Sequence, residues 1–349
     1  MPNVSADRLT TIAKGLLIAA GASEEEAAVI ARYNIGANLV GHDSHGIILI
    51  PQYIDRIKAG HIVPQAPWVI TQETPTTTVI DGNWGFGYAV NDRAMRYTIE
   101  KAKKQNVAAA TVFHQSHIGR LASYPLLAAE EGMIAMITAD SGRSPKHVAP
   151  YGGAKARLGT NPICFAVPSN LEGPLVFDMA TSAAAAGKIN VATARGEQVP
   201  AGWLIDKEGK PSTDPTVLKA GGALLPLGGT EGYKGTGLAA IVEILSGLLT
   251  GLGFGIDPQG RHNDGCFMAV FNVAAFRDLA TFKAEVTDFA HYLKATPPAQ
   301  GFKEVYYPGE VEFLKEKDRR ANGVEIEDAT WSRLKDLAGT YGIADQLPF

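Results

Sequence analysis

Between residues 76 and 178 the chain alternates short β-branched apolar runs with amphipathic ones, and this alternation restricts the fold more than any other feature. The runs "TTTVI" (76–80), "VAAATVF" (107–113), "MIAMITA" (133–139), "ICFAV" (163–167) and "PLVFD" (174–178) have the length and composition of strands. Between them, 88–104 carries Ala89, Ala94, Met95, Ile99 and Ala102 at helical spacing, and 121–131 is a second helical stretch. Strands interleaved with helices predict an α/β unit. A later run, "FMAVFNV" (267–273), and a helix over 279–294 are assigned to the same unit.

The flanks read as helical. Ser5 opens a stretch with Leu9, Ile12, Leu16 and Leu17 on one face, closing near Gly21. Ser23 with Glu26 forms an S-x-x-E capping box before "AAVIARYNIGANLV", which Gly41 can stop. At the other end "GEVEFLKEKDRRAN" stops at Gly323, and a last helix covers Glu327 to Ala338. Residues 183–232 are rich in Gly, Pro and Thr and read as long loops around a site. A chain of 349 residues has room for two domains. The expectation is an α/β, two-domain fold: a discontinuous helical domain (1–72, 232–262 and 309–349) beside an α/β domain (73–231 and 263–308).

Several function classes are disfavoured by composition. The formal net charge is −4 and the basic residues are dispersed, as in "EKDRR" (316–320), so the basic footprint of a nucleic-acid binder is missing. Cys164 and Cys266, each inside an apolar run, read as buried inert thiols. The apolar stretch 237–255 carries Glu243 and five glycines, which favours a buried core helix over a membrane span. The N-terminus has no basic region followed by an apolar one, and the expected location is the cytoplasm.

Two turns share a spacing: "GHDSHG" (41–46) and "HQSHIG" (114–119) each hold His-x-x-His followed by glycine. Four imidazoles could suit zinc, but both pairs sit where an element ends, which argues against a shared helical face, and neither is H-E-x-x-H. The expectation is that no metal is bound. Acid–base chemistry is the competing reading, because His117 follows a strand, where open α/β sheets place their ligand crevice. "DGNWGFG" (81–87) has the wrong glycine spacing for a dinucleotide fingerprint and reads as a tight turn before a helix. "FDMATS" (177–182) ends a strand with a carboxylate and two hydroxyls, and "YKGTG" (233–237) puts Lys234 in a helix's first turn, where it could answer an anionic ligand.

Taken in order, "GHDSHGI" with Tyr53, "HQSHIGR", "PYGGAKARLGTNPI" (150–163), "DMATS", "GKI" (187–189), "P-x-G-W" (200–203), "PLGG", "YKGTGLA" and "PGE" (308–310) resemble the type 2 malate/L-lactate dehydrogenase family over essentially the whole chain. The "HIGR" variant places it nearest the broad-specificity hydroxycarboxylate dehydrogenases of bacteria. The resemblance implies a non-Rossmann dinucleotide fold, NAD or NADP as cofactor, no metal, and a homodimer with its site near the interface. It also implies a small 2-oxo or 2-hydroxy acid as substrate. His117 matches the proton donor and acceptor of ketoacid-reducing members. His45, with Ser44 beside it, matches a second catalytic position touching cofactor or substrate. Gly119, Arg120, Leu121, Asp178, Met179, Ala180, Lys234, Pro308, Gly309 and Glu310 match cofactor-contacting segments. Thr160 and Tyr53 are expected on the substrate side.

Two departures bear on substrate. Many members carry an arginine four residues after the second histidine of the first motif, where this chain has Leu49. Arg120 is the expected replacement as carboxylate anchor, or else a partner of the cofactor phosphates. Lys188 stands where imine-reducing members carry an acid, which weakens the alternative of a cyclic imine or opine-type reductase on the same fold. A zinc hydrolase and a non-catalytic dinucleotide sensor are the more distant rivals.

Overall fold

Ser5 and Ser23 start the first two helices as the sequence predicts. The computed structural model describes residues 1–141, 146–255, 261 and 263–349, so the expected domain boundary at residue 262 lies outside the described residues. Ser5 caps α1 (Ala6–Ala19), whose Leu9, Ile12, Leu16 and Leu17 are wholly buried. The Ser23–Glu26 capping box opens α2 (Glu24–Leu39), with both reciprocal bonds formed at 3.0 and 3.1 Å. Further helices are α3 (Ile50–Lys58), α4 (Gly87–Gln105), α5 (Pro125–Glu130), α6 (Ala186–Arg195), α7 (Gly232–Glu243), α8 (Leu279–Lys294), α9 (Glu310–Asn322) and α10 (Asp328–Thr340).

Seven strands form the main sheet: β1 (Val69–Glu73), β2 (Thr77–Gly85), β3 (Val107–Gln115), β4 (Met133–Ser141), β5 (Ile163–Val167), β6 (Leu175–Met179) and β7 (Asp264–Asn272). Their spatial order is β1-β2-β3-β7-β4-β5-β6. Only β2 and β3 run parallel; the other neighbours are antiparallel. β7 therefore enters between the ends of β3 and β4, pairing Cys266 with Val112 and Asp264 with Ser141. This puts Asp264, the exit of β3 and the exit of β4 at one end of the sheet. One continuous cluster of buried side chains runs from α1 through Ile80, Val112, Ile137 and Met268 of the sheet to Leu334 of α10.

Three regions differ from the expectation. β1 is an edge strand whose side chains are nearly all exposed, so it carries no apolar signal, yet it pairs with β2. Residues 183–232 are not plain loops: they contain α6 and a three-stranded sheet (Leu204–Ile205, Pro211–Ser212 and Ala223–Leu224), and a small core forms around Val148, Ile189, Val199, Leu204 and Leu224. The apolar stretch after residue 237 is not a fully buried helix. α7 passes into a π-helical turn at Ile244–Leu248, and Ile241, Ile244, Leu248, Leu249 and Phe254 are exposed. Among the described residues no helix is long and apolar enough to cross a membrane.

Candidate active site

The first histidine turn is shaped from behind by Asn38. Its Oδ1 accepts the Ile47 N–H at 2.8 Å, and its Nδ2 donates to Asp43 at 2.7 Å. A Cβ on Gly46 would fall 2.2 Å from that amide oxygen, so glycine is required there. Asp43 is clamped by Arg319 at 2.7 and 3.0 Å, and His42 lies 3.6 Å from Glu312. Both residues thus build the turn. His45 faces the other way, with Ser44 Oγ 3.1 Å from its Nδ1 and its carbonyl accepting from Asn34 at 2.8 Å. Burial lowers the pKa of His45 to about 4, helped by the nearby charges of His42 and Arg120, so its ring is neutral at neutral pH.

The second turn divides in the same manner. His114 stands off the site, 3.1 Å from the Asp81 carboxylate and stacked on Trp84. Gln115 locks β3 to β7 by donating to the Asp264 carbonyl at 2.8 Å, and the Ile118 N–H donates to Asp264 Oδ2 at 3.1 Å. The "DGNWGFG" turn presses on this segment from the other side. A Cβ on Gly87 would come 2.2 Å from the Ser116 carbonyl oxygen and 2.6 Å from that of His117, so the turn serves close packing at the foot of α4. Gly119 has φ +72°, and a Cβ there would meet the Tyr88 hydroxyl at 1.9 Å.

His117 and His45 come together with ring centroids 5.8 Å apart and planes 25° from parallel. Their rings stack, and the other two histidines of these turns, His42 and His114, are engaged with Glu312 and Asp81. Among the described residues no group of three or more His, Cys, Asp or Glu side chains could hold a metal ion. The hydroxyl of Tyr53 lies 2.9 Å from His117 Nδ1. Tyr53 is wholly buried, and burial followed by the neighbouring Tyr88 hydroxyl pushes its pKa well up, so it remains a neutral phenol. Tyr53, expected on the substrate side, is thus buried with its hydroxyl against His117.

His45, His117, Gly119, Leu121 and Thr160 line a cleft of about 370 Å³. Sequence reasoning missed further residues of its wall: Asp140, Lys146, His147, Asn161 and Asp264. Lys146 is 6% exposed and bridges Asp140 at 2.9 Å and Glu243 at 3.2 Å. Burial raises the Asp140 pKa to about 6 against the pull of Lys146, with Glu243 pushing the same way as burial. Asp140 ends a strand run that was legible, and Glu243 stood out as a charge among apolar residues. Their meeting with Lys146 depends on the fold alone.

The remaining expected positions are not among the residues that line this cleft. Arg120 acts electrostatically on His45 and on Asp178, and its Nε is buried with no hydrogen-bond partner among the described residues. Asp178 accepts the Ala122 N–H at 2.9 Å; burial raises its pKa, with that bond and Arg120 opposing. Met179 and Ala180 follow at the end of β6, half-buried. Pro308 accepts the Val176 N–H at 3.2 Å, a Cβ on Gly309 would meet the Pro174 carbonyl, and Glu310 is buried against Lys294. Lys234 is exposed and 3.2 Å from Glu231, so a neighbouring carboxylate already answers its charge. Leu49 packs against the core. A larger cleft of about 560 Å³, bounded by α5, residues 167–174 and α9, contains none of these residues.

The sequence profile of the malate/L-lactate dehydrogenase family matches residues 4–335. The L-sulfolactate dehydrogenase of Methanothermobacter thermautotrophicus is 36% identical over 341 residues, covering 96% of each chain. Hydroxycarboxylate dehydrogenase B of Escherichia coli O157:H7 is 32% identical over 338 residues, covering 93% of this chain and 91% of its own. The crystal structure of malate dehydrogenase from Entamoeba histolytica superposes with a TM-score of 0.94 at 35% identity, covering 100% of this chain and 99% of its own. The chain belongs to the malate/L-lactate dehydrogenase family.

Proposed function

We propose that this protein is an NAD(P)-dependent dehydrogenase interconverting a small 2-oxo acid and the matching 2-hydroxy acid, with His117 as the acid–base group. The carrying observation is the Tyr53–His117 pair at 2.9 Å, set at the wall of the cleft. The cofactor, when bound, supplies the hydride; the chain supplies orientation, charge and the proton. The cleft fits a carboxamide-bearing ring in one concrete respect: Asn161 Oδ1 is a buried acceptor without a donor.

His117 gives a proton to the carbonyl oxygen during reduction and takes it back during oxidation. Because the Tyr53 hydroxyl engages Nδ1, the proton is exchanged at Nε2. His45, neutral and stacked on His117, flanks the reacting centre without adding charge, and Ser44 fixes its tautomer through Nδ1. Arg120 takes the substrate carboxylate, the role Leu49 cannot fill, and its unmatched Nε is the donor available for it. The dinucleotide is held by Gly119 to Leu121, Asp178 to Ala180, Lys234 and Pro308 to Glu310, without a G-x-G-x-x-G turn. In this reading residues 1–72, 232–262 and 309–349 and residues 73–231 and 263–308 form the two domains of one subunit, with β1 crossing from the first to the second. The bare apolar face of Ile241, Ile244, Leu248 and Leu249 closes a homodimer; a purely monomeric sedimentation profile at micromolar concentration would remove that part.

The test is oxidation of NADH and of NADPH at 340 nm against pyruvate, oxaloacetate, 2-oxoglutarate, phenylpyruvate and cyclic imines. Turnover with at least one 2-oxo acid and one dinucleotide is expected. Turnover with imines alone, or with none of the panel, would sink the reading.

A further inference from the structure

Asn161 stands in the cleft wall with an amide orientation dictated by its neighbours. Its Nδ2 donates to the Ala239 carbonyl at 2.9 Å and to Glu243 Oε2 at 2.9 Å. A carbonyl and a carboxylate accept only, so the NH2 group must face them and the oxygen must face away. That oxygen accepts no hydrogen bond among the described residues, although Asn161 is only 1% exposed. Buried acceptors are nearly always matched, so an unmatched one on a residue of the cleft wall points to a donor arriving with a ligand.

The orientation is fixed at several points. Lys146 Nζ lies 3.2 Å from Glu243 Oε1, holding the carboxylate that holds the amide. Thr181 Oγ1 donates to the Thr160 and Asn161 carbonyls at 3.1 and 3.0 Å, pinning a turn in which Asn161 has φ +38°. Next to the amide oxygen the wall is stripped of side chain. A Cβ on Gly159 would stand 2.7 Å from Asn161 Oδ1 and 3.2 Å from Asp140 Oδ1. Glycine at this position keeps a Cβ off both oxygens, in a cleft wall that also holds His45 and His117.

We propose that Asn161 Oδ1, left without a side chain beside it at Gly159, accepts a hydrogen bond from an N–H group of the bound ligand, and that this group is the carboxamide of the nicotinamide ring. The inference rests on the dehydrogenase reading. An N–H donor has two sources in such a cleft, the carboxamide or an amine-bearing substrate. The carboxamide is favoured because simple 2-oxo acids offer no N–H, whereas every nicotinamide dinucleotide does. Lys146 and Glu243 are positioning residues for this contact.

The test compares dissociation constants, by fluorescence titration, for the reduced dinucleotide that the protein prefers and for its 3-acetylpyridine analogue, in which a methyl ketone replaces the carboxamide. Wild type is expected to bind the natural dinucleotide about 10-fold more tightly, because the analogue leaves the acceptor unmatched. Gly159→Ala, whose Cβ would crowd Oδ1 at 2.7 Å, should bring the ratio to within about 2-fold of unity, mainly by weakening the natural dinucleotide. Equal binding by wild type, or an undiminished ratio in Gly159→Ala, overturns this inference and leaves the dehydrogenase reading standing. If neither dinucleotide binds, both fall. If Gly159→Ala weakens only amine-bearing oxo acids and leaves the dinucleotide ratio unmoved, the donor belongs to the substrate and the carboxamide assignment is overturned.

Discussion

Replacing Tyr53 with phenylalanine removes one oxygen atom from behind His117. The ring is wholly buried and keeps its packing, and the Tyr88 hydroxyl keeps Asn34 at 3.1 Å. What disappears is the 2.9 Å contact to Nδ1 of His117, together with the hydroxyl's interactions with Tyr88 and Asn34. In the proposed mechanism His117 acts as an imidazolium in the reducing direction, and its Nδ1–H loses the Tyr53 oxygen. A hydrogen bond to a charged group contributes about 1.5–3 kcal/mol, so kcat for 2-oxo acid reduction should fall about 10- to 150-fold at neutral pH. The sign of the pH effect follows from the same bond. Without its acceptor the protonated ring is disfavoured, so the limb of the reductive kcat profile that reports His117 should move to lower pH by about one unit or more. The assay is kcat for reduction from pH 5 to 9, with the dinucleotide dissociation constant measured alongside to show an intact cleft. A Tyr53→Phe enzyme with kcat within about 2-fold of wild type and an unmoved limb would refute the positioning role.

Three further outcomes follow from the geometry. Arg120→Ala should raise KM for 2-oxo acids at least about 10-fold, the scale of a charge-assisted bond, and an unchanged KM would remove Arg120 as carboxylate anchor. Gly119→Ala combines a left-handed backbone with a Cβ 1.9 Å from the Tyr88 hydroxyl, and should cost roughly 2–5 kcal/mol of stability; a melting temperature within a degree of wild type would contradict this. His45 has a folded pKa of about 4 against 6.5 unfolded, so between those values the unfolded chain binds the proton and the folded one does not. Its contribution, up to about 3 kcal/mol, is complete above pH 6.5 and lost as pH falls toward 4. His45→Gln should flatten the pH dependence of thermal unfolding across that window, and an unaltered slope would refute the depressed pKa.

The sheet was legible where strands are apolar on both faces, as in "MIAMITA" and "ICFAV", because buried strands read as continuous β-branched runs. β1 was not, since an exposed edge strand needs no apolar residues. The three short strands between residues 204 and 224 have two residues each, too few to show a period. In the site, His45 and His117 stood out because glycine-bounded turns place them where elements end, and Gly46, Gly87 and Gly119 prove to be fixed by contacts that a Cβ would violate. The Asp140–Lys146–Glu243–Asn161 network was invisible. Its members come from segments up to 103 positions apart, and no local pattern requires an acid, a lysine and an amide at those places. Lys234 was singled out by its position against the helix dipole; the fold leaves it exposed, 3.2 Å from Glu231.

The most direct test of the account is turnover by His117→Ala on the best 2-oxo acid of the panel, with dinucleotide affinity measured in the same preparation. The account predicts a fall in kcat of at least about 10²-fold with the dissociation constant of the dinucleotide little changed. Near-normal turnover by that variant would contradict it.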